Sequence, residues 1–288
     1  MLFWKQPDFA QLLRELGGFT RRDVTQGLKL ARYRKAAHSL LKKDPVSAHA
    51  LLGMVACLEH NIEAMTAEYA QAIELSPSHL GLMYYAYSLE TSCLWNESAK
   101  YTLLALDRAP KDQKLLNAAI GIAPLTGRFS LLNKLLSQWQ ESHEGVHHPR
   151  QGDFEKVTAI LAAQGLAEQD LKVVLAAIGT AFSETDVILS SYRYELVAGR
   201  ASSFIHYRFV LPDNLVATYY EDLIAERLAT VACHPRIFDV FSFSVENGTI
   251  YELYDYMERE LAGSADNIKV PDPDKMKLIE ELVRGVEV

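Results

Sequence analysis

Residues 51–77 read LLGMVACLEHNIEAMTAEYAQAIELSP, and the reading of this stretch decides the fold of the front half of the chain. It ends on Pro77, the middle one of three prolines, Pro45, Pro77 and Pro110, that close the similar stretches YRKAAHSLLKKDP, AEYAQAIELSP and SAKYTLLALDRAP. Spacings of 32 and 33 residues between them point to a period near 34, the signature of stacked helix pairs. Each pair in such an array buries its apolar face only against neighbours and leaves an extended surface for other chains. The front half therefore reads as a binding module rather than a catalyst.

The stretch resembles the tetratricopeptide repeat: Leu52-Gly53 in the first helix, Tyr69 and Ala72 at the packing positions of the second, and Pro77 as the stop. Gly53 lets two helices approach closely, and Pro77 cannot continue a helix. The next unit keeps Ala99, Ala105 and Pro110, and the one after has a Gly127-x-Phe129 turn between two helical patterns, with Trp139 at a usually small site. A degenerate pair from about Thr20 and a short helix at residues 7–16 precede them, for three to four helix pairs in all.

The resemblance implies that partner contacts come from the first helix of each pair. Carried over, it points to Ala50, Met54 and Cys57, to Tyr84, Ser88 and Thr91, and to Lys114 and Asn117. The family's clamp for a C-terminal carboxylate would need Lys and Asn where Ala50 and Met54 stand. A groove of Met, Tyr, Ser and Thr suits an apolar or helical protein segment instead.

The net charge of -8 is unevenly spread. Residues 1–150 hold 17 Lys and Arg against 14 Asp and Glu; the remainder holds 12 against 23. A half that acidic is a poor ligand for nucleic acid. Apolar runs such as LLGMVACL fall short of the roughly 18 to 20 residues needed to span a membrane. The start MLFWKQPDFAQLLREL lacks the pattern of a secretory signal, and the three cysteines form no close pair. These features place the expected protein in the cytoplasm, with buried thiols, no cofactor and no metal. His143 and His147 are four apart, but Gly145 and Pro149 interrupt any helix that would aim both at one ion.

Residues 143–152 read as a polar linker between a helical domain, 1–142, and a second domain, 153–288, of unknown function. In the second, DFEKVTAILAAQ and AEQDLKVVLAAIGTAF are helical patterns, the latter with Leu171, Val174, Leu175 and Ile178 on one face. VILSSYRYELVAGRASSFIHYRFVL alternates around Ala-Gly as a hairpin. One face carries Tyr192, Tyr194, Leu196, Ile205, Tyr207 and Phe209, the other Arg193, Glu195, His206 and Arg208. A helix over 213–229 with Leu215, Tyr219, Leu223 and Leu228 inward, a third strand over 236–246 and a helix over 250–262 complete the order ααββαβα; a strand remains the other reading of the last.

The fold expected is α+β overall, an all-α tetratricopeptide-like solenoid followed by a small domain with an antiparallel sheet. The function expected is that of an adaptor binding a protein segment. Two other readings stand beside it. One is an enzyme doing acid-base or phosphoester chemistry with Glu195, His206 and Arg208, the repeats recruiting its substrate. The other is a homo-oligomeric scaffold.

Overall fold

A computed structural model describes residues 27–247 apart from 77, 144, 186, 190, 199–202 and 213–214. The helices expected at 7–16 and 250–262 lie outside the described residues, as does Pro77.

Seven consecutive helices open the described chain: α1 (Gly27–Leu40), α2 (Pro45–Leu58), α3 (Ile62–Leu75), α4 (His79–Thr91), α5 (Trp95–Arg108), α6 (Gln113–Leu125) and α7 (Phe129–Ser142). α2, α4 and α6 begin at Pro45, His79 and Gln113, each 34 residues after the last. Each is started by a side chain that accepts from its first turn. Asp44 takes Ser47 N, Ser78 takes Gly81 N, and Asp112 takes Lys114 N and Leu115 N. Pro45 thus opens a helix, at a position where its missing N–H costs nothing. Within the pairs, the chain reverses at His60, Cys93 and Gly127, all with positive φ. Successive helices pack against one another, an arrangement compatible with a helical repeat.

Close packing within the pairs follows from small residues. A Cβ built on Gly53 of α2 would lie 2.6 Å from Tyr69 Cε2 of α3. Tyr69 is fully buried; its hydroxyl meets Ser88 Oγ of α4 at 2.8 Å and its ring stacks on Tyr85 at 4.9 Å. The glycine of one helix therefore makes room for the ring that reaches the next pair.

After α7, His143, His148 and Arg150 turn back on the helices. His143 stacks on Trp139 at 4.0 Å and His148 meets the same indole edge-on at 5.1 Å. Next come α8 (Asp153–Ala162) and α9 (Glu168–Ser183), then β1 (Ser191–Ala198), β2 (Ser203–Leu211), α10 (Ala217–Ala229), a short 3₁₀ turn (Pro235–Asp239) and β3 (Phe241–Asn247). α9 lies along the row of reversals. Glu168 at its start accepts from Ser130 N of α7 at 2.7 Å, and the backbone at Leu171 and Lys172 abuts Gly127. Farther on, Gly179 abuts Cys93 O and Trp95, and Ser183 O accepts from His60 Nε2 at 2.8 Å. Leu171, Val174, Leu175 and Ile178 are fully buried beneath it.

The three strands run in the order β1-β2-β3. β1 and β2 pair antiparallel, with Tyr192 opposite Phe209, Tyr194 opposite Tyr207 and Leu196 opposite Ile205, so the apolar faces coincide as the alternation predicts. β3, however, pairs parallel to β2, and the sheet is mixed rather than antiparallel. The reason is α10: a helix between two strands carries the chain back to the end where it started. α10 buries Tyr220, Ile224 and Leu228, whereas Tyr219 is 58% exposed; Leu228 is inward as expected, Leu215 and Leu223 pack against the core, and Tyr220 takes the inner place expected of Tyr219. β3 itself starts only at Phe241, the 3₁₀ turn occupying the first part of the expected strand.

The sheet's apolar face joins the helices in one hydrophobic core. Trp95, the first residue of α5, stacks on Phe209 at 5.8 Å with the rings 7° from parallel; Phe129, the first residue of α7, meets Tyr194 edge-on at 5.4 Å. Polar ties run to the end of α6. Pro124 has no N–H, which leaves Ile120 O without its helical donor, and Arg150 Nη1 donates to that oxygen at 3.3 Å. Tyr192 donates to Gly121 O, and Tyr207 to Pro124 O at 2.8 Å. Arg150 also lies over the ring of Tyr194, whose hydroxyl donates to Asp153 at 2.5 Å.

Two glycines predict opposite outcomes in urea unfolding. Gly53→Ala must displace the buried Tyr69 ring, at a cost of about 1–3 kcal/mol. Gly121→Ala, with open space at the added methyl, stabilises by about 0.5–1 kcal/mol through helix propensity.

Candidate functional site

α4 buries Gly81, Leu82, Tyr85, Ala86, Ser88 and Leu89. The other side of the same helix carries Leu80, Tyr84, Tyr87, Glu90 and Thr91, three or four residues apart, which puts them in one stripe. Leu80 is 46% and Tyr87 45% exposed. Tyr84 and Thr91 are half-buried, and Glu90 is exposed. On α6, Lys114 and Asn117 are exposed one turn apart.

The remaining groove residues named from the sequence are interior. Ala50, Met54, Cys57 and Ser88 are all buried. Met54 packs in one cluster with Leu30 and Tyr33 of α1 and with Ile188 just before β1. Cys57 Sγ donates to Ser88 O at 3.3 Å and lies 3.4 Å from Ser92 Oγ, which makes it part of the seam between α2 and α4. Four of the eight positions thus hold pairs together: α2, which carries Ala50, Met54 and Cys57, is enclosed by α1, α3 and α4, and Ser88 of α4 meets Cys57 and Tyr69. Tyr84, Thr91, Lys114 and Asn117 keep accessible surface. Leu80, Tyr87 and Glu90 join them, and could have been found by following the outward spacing of Tyr84 along α4.

Glu90 is the unusual member of the stripe. Water reaches it, yet desolvation by the surrounding protein pushes its carboxyl up to about 7. Burial first, and then the charge of Glu90, raises the phenol of Tyr87 on α4; burial also raises that of Tyr192 on β1, where Arg150 acts in the opposite sense and Glu90 adds to the rise, so the three side chains are electrostatic neighbours.

The second constellation named from the sequence does converge. Arg193, Glu195, His206 and Arg208 share the sheet face turned away from the core, with Arg193 directly opposite Arg208 and Glu195 opposite His206. Like charges across a strand pair repel. Glu246 of β3 answers both guanidinium groups, Arg193 Nη2 at 3.4 Å and Arg208 Nη1 at 3.3 Å, while Glu195 takes Arg208 Nη2 at 3.3 Å. His206 sits between two hydroxyls of β3, Ser242 Oγ at 2.8 Å from Nδ1 and Ser244 Oγ at 3.2 Å from Nε2. Ser244 also donates to Glu246 Oε1 at 3.2 Å. Ser242, Ser244 and Glu246 were legible as the polar alternate positions of FSFSVEN but went unnamed beside its aromatic residues. Asp239 lies on the exposed 3₁₀ turn, and His234 caps that turn by accepting from Arg236 N at 3.3 Å.

No family model matches the chain, and no curated protein or solved structure matches it either. Among the described residues no helix is long and apolar enough to cross a membrane.

The raised Glu90 carboxyl has a testable sign. Between its ordinary value of 4.5 and about 7 the folded chain holds a proton that the unfolded chain has released. Glu90 therefore lowers stability as pH rises through that window. Glu90→Gln removes this loss, so the variant gains on the wild type between pH 5 and pH 8 in urea midpoints; equal changes in the two proteins would refute the assignment.

Proposed function

We propose that this protein is an adaptor, in which a tetratricopeptide-like helical array binds a protein segment along its first helices. The single observation that carries the reading is the accessible stripe of α4, where Leu80 and Tyr87 expose large apolar surface on a helix otherwise committed to the core. Lys114 and Asn117 extend the surface onto α6, the equivalent helix 34 residues later. An apolar or helical segment would set its side chains between Tyr84 and Tyr87, with affinity concentrated in those aromatic anchors. Glu90, beside Tyr87, favours a segment that also carries a cation, since a carboxylate and aromatic faces attract the same charge. The cytoplasm is the compartment proposed, on the cysteine usage of the sequence.

Selection of displayed peptides against the full chain tests this reading. The expected binders are amphipathic, carry Lys or Arg, and lose about 30-fold or more in affinity on Tyr87→Ala, the scale of a buried aromatic anchor. They should bind Glu195→Gln, on the sheet, as well as the wild type. Binders indifferent to Tyr87→Ala and to Asn117→Ala would move the interaction surface elsewhere.

A further inference from the structure

The hydroxyl groups of β3 and the imidazole of β2 form a chain whose proton directions follow from one end. The parallel register sets Ser242 opposite His206 and Ser244 opposite Arg208, all on the sheet face away from Ile205, Tyr207 and Phe209. Glu246, paired with Arg193 and Arg208, can only accept, and it takes the hydroxyl proton of Ser244. Ser244 has no second proton, so its oxygen accepts from His206, and the ring proton is on Nε2. Nδ1 of the neutral ring then carries a lone pair, and Ser242 Oγ, 2.8 Å away, donates to it.

We propose that this face is a second site, in which Ser242 Oγ is a nucleophile toward carboxylic esters and His206 Nδ1 is its general base. The arrangement has the parts of an activated serine: a hydroxyl in contact with a base, the base held in one tautomer by a further group, and a carboxylate at the far end. Here the hydroxyl of Ser244 stands between the imidazole and the carboxylate. Ser242 and His206 are half-buried, open to solvent on one side. Burial and the neighbouring Arg208 hold the imidazole below its ordinary pKa, which keeps it a free base at neutral pH. Glu195 and Glu246 act in the opposite sense, and Arg193 adds to Arg208.

In the step proposed, Ser242 Oγ bonds to the ester carbonyl carbon while its proton passes to His206 Nδ1. The tetrahedral oxyanion forms beside the positive charge of Arg208. It collapses by breaking the carbon–oxygen bond to the alcohol, which leaves with the proton from Nδ1. Water, deprotonated by the same nitrogen, attacks the acyl-serine and releases the acid, restoring Ser242. Ser244 and Glu246 are positioning residues that keep Nδ1 unprotonated.

The test uses the full chain, a fluorophosphonate probe and p-nitrophenyl acetate. The probe loses fluoride when an activated serine bonds to its phosphorus, and peptide mapping locates the adduct. We expect one adduct, on Ser242, absent in Ser242→Ala and formed at least about 100-fold more slowly in His206→Gln, the scale of a lost general base. The labelling rate should rise with pH through a single ionisation below the usual imidazole value, and Glu246→Gln should move that ionisation as well as slow the reaction. Urea midpoints for each variant separate chemistry from folding; should His206→Gln fail to fold, Ser242→Ala and the pH profile of the wild type still decide. No adduct on the wild type, an adduct on another residue, or equal labelling of a folded His206→Gln overturns the proposal.

Discussion

Trp95 is the residue on which the two kinds of structure in this chain meet. It begins α5, so its backbone belongs to the helical series, and its indole lies flat against Phe209 of the central strand. On another side the ring is close enough to Gly179 that an added methyl there would come within 3.0 Å of it. Phe182 closes the cluster, 6.4 Å from Trp95 and 5.3 Å from Phe209. Truncating a buried aromatic of this kind costs about 3–5 kcal/mol, a large part of the stability of an ordinary domain. Here the loss would fall on the helices and the sheet at once.

Everything around that contact is arranged to permit it. α9 can run along the reversals only because Gly179 and Gly127 keep two crossings free of side chains. The reversal at Gly127 has a φ of 67°, where a Cβ would be strained as well as 3.0 Å from Lys172 N. The hydroxyls of Tyr192 and Tyr207 and the guanidinium of Arg150 then meet three carbonyls near the end of α6, one of them freed by Pro124. With its apolar face taken up in this way, the sheet turns to solvent a face on which serines, a histidine and paired charges are the remaining chemistry. The accessible stripe of α4 and that face are distinct regions of one body.

The helical half was legible because its signals are local. Gly53 and Tyr69 sit opposite each other as their residue types imply, and the Gly127-x-Phe129 turn falls where its spacing puts it. Which residues of β1 and β2 share a face could be read, since a period of two fixes it. What could not be read is tertiary. Ala50, Met54, Cys57 and Ser88 have the helical spacing of a groove, but neighbouring helices and Ile188 cover them, and coverage is not written in the covered residues. The parallel addition of β3 depends on where α10 packs, and that Tyr220 rather than Tyr219 turns inward reflects how that helix lies on α9 and β3. On the polar face the sequence displayed Arg193, Glu195, His206 and Arg208, but the partners that give them order lie on β3, 36 or more residues beyond His206.

The contact at Trp95 is expected to make the helices and the sheet one cooperative structure. Native-state hydrogen exchange measures it directly, by comparing amides of α5 such as Ala99 and Ala105 with Tyr207 and Phe209 in β2. A shared opening free energy is expected in the wild type, and an equal fall at both places in Trp95→Ala. Protection of β2 that is independent of α5, and unmoved by the substitution, would contradict it.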